Sequence, residues 1–210
     1  RGPVFPPPRL PVLSRHRGVP DGRGPLPRQD RRLPLGHPRR ALLVHPGARW
    51  PFKCWEDGKY AALVQLLLNN GQNVVLTSSP DAVEKDILEE ILVRVKVPEG
   101  VKVWTLAGSL NLRELAAAIE GANAFVGVDS VPMHIAAALD KPQVALFGPS
   151  WVSRWRPYSE QAEVVWAGDF GELPHPESIN TDDPKRLLNA IPLDVVWEKV
   201  KAKLGLPSEK

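Results

Sequence analysis

An aspartate and a serine close an apolar run in Val126-Gly127-Val128-Asp129-Ser130, and Val131-Pro132-Met133-His134 leads on into the alanine-rich stretch ending at Ala138. Pro132 suits the first turn of a helix, where its missing N–H leaves no bond unmade. The pattern is that of a strand, a tight turn and a helix N-terminus. Such a terminus presents unpaired backbone N–H groups and about half a positive charge, which suits a phosphate or pyrophosphate. The chemistry indicated is nucleotide or nucleotide-sugar binding.

Three further segments carry residues of the same kind. His45-Pro46-Gly47-Ala48-Arg49-Trp50-Pro51-Phe52-Lys53-Cys54-Trp55 combines small residues, which permit close backbone approach, with cations that neutralise phosphate. Ser78-Ser79-Pro80-Asp81, followed by Glu84, puts acids where a ribose diol could be held. Phe147-Gly148-Pro149-Ser150 forms another turn. Each candidate also has a purely structural reading. Asp129 and Ser130 could cap their helix, His134 could be a buried polar residue satisfied by backbone, and Lys53 with Arg49 could be a solvated pair. Glu84 could simply favour the first turn of a helix, and Trp50, Trp55, Trp151 and Trp155 could be packing or cleft lining.

The elements that must position these residues alternate. Strands are expected over 41–45, 73–77, 101–106, 124–128 and 143–147, as short apolar runs bounded by turn residues. Helices are expected over 55–70, after Pro80, after Asn111 and over 132–139. Val83, Ile87, Leu88, Ile91, Leu92 and Val95 mark one apolar face of the second helix, and Asn111-Leu112-Arg113-Glu114 reads as a capping box opening the third. Interleaved strands and helices imply an α/β fold, a Rossmann-like parallel sheet with helices on both faces. Ligands of such sheets sit beyond the carboxyl ends of the strands, where all four candidate segments fall. That co-occurrence favours the site reading over the separate structural ones.

Composition divides the 210-residue chain. Residues 1–40 hold 10 Arg, no Lys and 2 Asp, a net of +8, while 17 basic against 22 acidic residues give the rest −5. The basic character belongs to the leader, so the body is not read as a nucleic-acid binder. The leader also holds 10 of the 23 Pro and none of the 7 Trp, too little apolar surface to offset its ordering entropy. It is expected to be a disordered leader or frameshift artefact, with a basic arm for anionic lipid or nucleic acid as the functional alternative. The lone Cys54 excludes an internal disulfide and fits a reducing compartment. No apolar run reaches the roughly 18 residues of a transmembrane segment, and none resembles the core of a signal peptide.

The body, about residues 41–205, resembles the C-terminal domain of glycosyltransferase family 9, the lipopolysaccharide heptosyltransferases, most closely their heptosyltransferase III branch. The resemblance is carried by Val44-His45-Pro46 with Arg49-Trp50 and Phe52-Lys53-Cys54-Trp55, and by Leu76-Thr77-Ser78-Ser79-Pro80-Asp81 with Glu84. It continues in Leu106-Ala107-Gly108, Glu114-Leu115-Ala116-Ala117, Gly127-Val128-Asp129-Ser130, Pro132-Met133-His134-Ile135-Ala136-Ala137-Ala138 and Ala145-Leu146-Phe147-Gly148-Pro149-Ser150. It implies a GT-B fold, in which two Rossmann-like domains enclose a cleft. The C-terminal domain takes ADP-L-glycero-D-manno-heptose as donor, and the N-terminal domain takes the lipopolysaccharide inner core. Lys53 would lie near the diphosphate or heptose, Glu84 and then Asp81 near the ribose, and Leu110 in the adenine pocket. Asp129 would face the heptose hydroxyls, with Ser130, Val131, Pro132 and Met133 against the pyrophosphate and His134 as support or contact. The implied reaction is inverting and metal-independent, with no cofactor beyond the donor substrate, in a cytoplasmic enzyme with the option of peripheral contact to the inner membrane.

Two departures from the family bear on function. The acceptor domain is expected to be missing and its catalytic base with it, because Asp21 and Asp30 lie in segments without strand or helix signal. Gly47-Ala48 stands where the family often has hydroxyl residues. The chain is therefore expected to be the donor-binding half of a heptosyltransferase, inactive in transfer alone. The alternatives are a stand-alone nucleotide-sugar binding module, or a GT-B relative using another donor such as a UDP-sugar.

Overall fold

The computed structural model describes residues 41–207. The expected leader, with Asp21 and Asp30, lies outside the described residues. The chain runs β1 (Ala41–His45), α1 (Asp57–Asn69), β2 (Asn73–Ser78), α2 (Ala82–Leu92), β3 (Val103–Ala107), α3 (Leu112–Gly121), β4 (Ala124–Val128), α4 (Val131–Ala138), β5 (Gln143–Phe147), α5 (Val152–Trp155), β6 (Ala162–Trp166) and α6 (Leu193–Leu204). All six strands are parallel, in the order β3-β2-β1-β4-β5-β6. From β1 the chain builds outward through β2 to β3, then crosses back to lay β4 on the other side of β1. The topological switch point is therefore the crevice between the carboxyl ends of β1 and β4.

The inner strands read as unbroken apolar runs because both of their faces are covered. Leu42, Val44, Leu76, Val126 and Leu146 pack with α1, α2 and α6 through Leu63, Leu67, Ile87 and Val200. Their neighbours Leu43, Val75, Phe125 and Phe147 face the other way, onto Leu115, Ile119, Met133 and Ala136 of α3 and α4. Each such side chain contributes about 1.5–3 kcal/mol on burial. Gln143 is fully buried, and with its amide turned to match its neighbours it donates to the Met133 carbonyl (3.2 Å) and accepts from Ala137 N–H (3.0 Å). This grip sets α4 against β5.

Two details differ from the sequence expectation. The apolar spacing puts the stripe of α2 from Val83 to Val95, yet Val83 is exposed and the helix ends at Leu92. The buried positions are Glu84, Ile87, Leu88 and Ile91, spaced i, i+3, i+4, i+7, so Glu84 starts the stripe and Val83 falls off its phase. The sheet also has a sixth strand, β6, and a closing helix, α6, which ends at Gly205 in the left-handed conformation (φ 65°).

Candidate functional site

Beyond β1, Pro51 starts a single 3-10 turn ending at Lys53. The turn aims the lysine across the switch point, where its Nζ donates to Asp129 Oδ2 at 2.6 Å and lies 3.4 Å from the Asp129 carbonyl. Trp50 backs the ammonium, with its ring centroid 5.4 Å away. The pair is no solvated surface contact, since the Asp129 side chain is 4 % exposed and that of Lys53 17 %. Asp129 N–H is bonded to the Leu146 carbonyl of β5, fixing the base of the turn. An ammonium has three donors, and Asp129 engages at most two of them. Lys53 can therefore hold Asp129 and an incoming anion together, while Asp129 Oδ1 remains an acceptor for a hydroxyl.

A second cluster lies at the ends of β1 and β2. Glu84 accepts from Ser79 N–H at 2.8 Å, and its Oε2 lies 3.5 Å from His45 Nε2. His45 Nδ1 lies 2.9 Å from Thr77 Oγ1. A ring donating Nε2–H to Glu84 accepts at Nδ1 from the threonine hydroxyl, so the ring is held at both nitrogens. Burial alone would raise the Glu84 carboxyl, but the His45 and Ser79 hydrogen bonds outweigh it and leave the pKa below its ordinary 4.5. A Cβ on Gly47 would stand 2.7 Å from Glu84 Cγ and Oε2, so glycine there makes room for the carboxylate. His45 and Thr77 were not among the site residues expected from sequence. The available signal was Glu84 itself, an acid on the buried stripe of an amphipathic helix.

The remaining candidates separate. Asp81 is exposed and caps α2, accepting from Val83 N–H at 2.8 Å. Asn111 closes α3 with a complete capping box. At α4, Ser130 makes no side-chain cap; its hydroxyl turns back to the Val128 carbonyl at 3.3 Å. Met133 N–H reaches the Ser130 carbonyl, and Val131 is exposed beside the buried Pro132 and Met133. This helix start is open to an external anion. His134 is exposed on α4, which overturns its reading as a buried, backbone-satisfied residue: the buried stripe is Pro132, Met133, Ala136 and Ala137, and position 134 lies off it. Leu110 is half-buried against the α3/α4 side of the sheet. Trp55 is core, edge-on to Tyr60 and donating to the Ile191 carbonyl at 3.1 Å. Among the described residues no group of three or more His, Cys, Asp or Glu is arranged to hold a metal ion, and no helix is long and apolar enough to cross a membrane.

The sequence profile of glycosyltransferase family 9 (heptosyltransferase) matches residues 25–184, beginning upstream of Ala41, where the family resemblance starts. Lipopolysaccharide heptosyltransferase 3 of Escherichia coli is 41% identical over 133 residues, covering 63% of this chain and 38% of that protein. The protein of the same name from strain K12 is 36% identical over 162 residues, covering 77% and 46%. The solved structure of E. coli ADP-heptose lipopolysaccharide heptosyltransferase II superposes with a TM-score of 0.64 at 30% identity, over 79% of this chain and 47% of that one. A glycosyltransferase family 9 structure from Veillonella parvula shares the fold, with a TM-score of 0.68 at 22% identity over 80% and 47%. The chain spans less than half the length of these relatives.

Proposed function

Because this chain belongs to glycosyltransferase family 9, the heptosyltransferases, we propose that residues 41–205 are the donor-binding half of an ADP-heptose:lipopolysaccharide heptosyltransferase acting on the inner core. The observation that carries the reading is the Lys53–Asp129 pair at the β1/β4 switch point, facing a helix N-terminus without a side-chain cap. A diphosphate placed there meets one ammonium and the open N–H groups of α4. The sugar beyond it meets Asp129. Glu84 takes the ribose, with Leu110 towards the base. The ADP-heptose named for the heptosyltransferase II structure, at 30% identity, supports the same donor.

In the proposed reaction an acceptor hydroxyl oxygen attacks the anomeric carbon of the donor heptose, and its proton passes to a base of the acceptor-binding half. The bond from the anomeric carbon to the β-phosphate oxygen breaks with its electron pair. ADP leaves into the field of Lys53 and α4, which stabilises the charge gathering on the phosphate. Asp129 and Glu84 are held in bonds that suit positioning.

The test is thermal unfolding of the chain with ADP or UDP. A ligand at a hundredfold excess over its Kd stabilises by about 2.7 kcal/mol. ADP is expected to raise the melting temperature and UDP to do much less; equal shifts would remove the ADP-heptose assignment.

A further inference from the structure

A cavity of about 400 Å³ opens where β5 and β6 end, within the size range of small-molecule sites, and neither Lys53 nor Asp129 lines it. Its walls include Trp151, Trp166, Leu173 and Pro174, with Ser150 and His175 as the polar groups. We infer that this cavity is a second carbohydrate subsite, which takes a pyranose ring against the Trp151 and Trp166 indoles.

The indoles are held in place before any ligand arrives. Trp166 Nε1–H donates to the Gly148 carbonyl at 3.0 Å, yet the side chain keeps 39% of its surface exposed. Its ring lies over Gly168, where a Cβ would overlap it. Trp151 meets His175 edge to face with ring centroids 5.2 Å apart, and Arg154 lies over the same indole at 5.4 Å. His175 Nδ1 accepts from Glu177 N–H, which leaves Nε2–H to donate. The electron-rich indole face suits the partly positive C–H hydrogens of a sugar ring, and Ser150 with His175 can address its hydroxyls. The sparse polar lining does not suit a phosphate. Strand order supplies the remaining step, and here the inference rests on the donor reading above. With base and ribose over β2 and β3 and the diphosphate over β1 and β4, the strands reached next on the sugar side are β5 and β6.

The test is saturation-transfer NMR on the full chain with a methyl heptopyranoside, with adenine as the competing aromatic ligand. The sugar ring protons are expected to be saturated by the protein, with or without saturating ADP. Trp151→Ala and Trp166→Ala should each weaken the sugar by about fivefold while leaving ADP calorimetry unchanged. Gly168→Ala, which displaces the Trp166 indole and deletes nothing, should act in the same direction and guards against a variant that merely unfolds. Sugar binding should persist under saturating ADP-heptose, which assigns the ring to the acceptor side; binding that is lost would mean the donor's own heptose fills the cavity and would overturn a second subsite. No sugar saturation, unchanged sugar affinity in folded tryptophan variants, or adenine saturation that those variants abolish would each overturn the subsite. Failure of ADP to bind while the sugar still does would count against the donor reading alone.

Discussion

Two helices start at the same edge of one parallel sheet and solve the same problem in opposite ways. At α3, Asn111 Oδ1 accepts from Arg113 N–H and Glu114 N–H, and Glu114 returns a carboxylate to Asn111 N–H at 2.8 Å. Two of its free donors are satisfied from within. At α4, Ser130 turns its hydroxyl away, Pro132 removes one donor, and Lys53 reaches in from beyond β1 to pair with Asp129, the residue just before Ser130. A helix that closes its own terminus is built for stability. One that leaves the terminus open, with a half-buried cation beside it, is built to receive an anion.

The strongest way to break this contrast is Lys53→Ala. Losing a charged hydrogen bond costs about 1.5–3 kcal/mol, so ADP affinity should fall by roughly 10- to 150-fold in calorimetry. The chain should also melt earlier, because Asp129 would keep a buried carboxylate without its partner. The double variant Lys53→Ala with Asp129→Ala should recover stability and leave ADP binding weak. If ADP affinity survived in Lys53→Ala, the pair would be structural and α4 no more functional than α3. Asp129→Ala alone should weaken ADP-heptose about tenfold more than ADP, since Oδ1 is proposed to hold sugar hydroxyls and ADP has none to offer there. Equal losses for the two ligands would reduce Asp129 to a clamp for Lys53.

The sequence made the sheet, the turns and the two helix starts legible, because buried strands are continuous apolar runs ended by turn residues and Asn111 stands three residues before Glu114. It did not show β6, where only Val165 of Ala162–Trp166 is buried and the edge position removes the apolar signature. Nor could spacing pair Lys53 with Asp129, 76 residues apart, or His45 with Glu84. The strand-end rule places all four residues at one edge, but the direction of each side chain is set by packing. Glu84 is readable as a candidate but not in detail: apolar spacing starts the stripe of α2 at Val83, whereas the acid itself occupies the buried position because His45 and Ser79 meet it there.

That network gives the next expected effect. Glu84 has a lowered pKa in the folded chain, so its contribution to stability is complete above the ordinary value of 4.5 and is lost as pH falls through the lowered one. Glu84→Gln should cost about 1–3 kcal/mol at neutral pH and leave a shallower loss of stability under acid. Urea midpoints measured at neutral pH and below 4.5 test this. A variant whose acid dependence matches the parent chain would mean that the His45–Glu84 contact carries no charge-dependent stability.

The smallest expected effects decide the comparison most directly. Asn111→Ala removes an acceptor for two backbone donors and should destabilise by about 1 kcal/mol, with ADP affinity falling far less than in Lys53→Ala, since the proposed contact beside this terminus is the apolar packing of Leu110 on the base and not a bond to phosphate. Ser130→Ala removes only the contact from its hydroxyl to the Val128 carbonyl, and the backbone N–H groups of α4 stay where they are. Its stability should move by no more than about 0.5 kcal/mol, within the range of substitutions that touch no cap or core. ADP affinity should also hold, because the proposed contact at position 130 is made by backbone. Equal destabilisation by the two alanines would show that Ser130 caps α4 in solution. The open helix start would then be lost as an argument, and donor binding would rest on Lys53 and Asp129 alone.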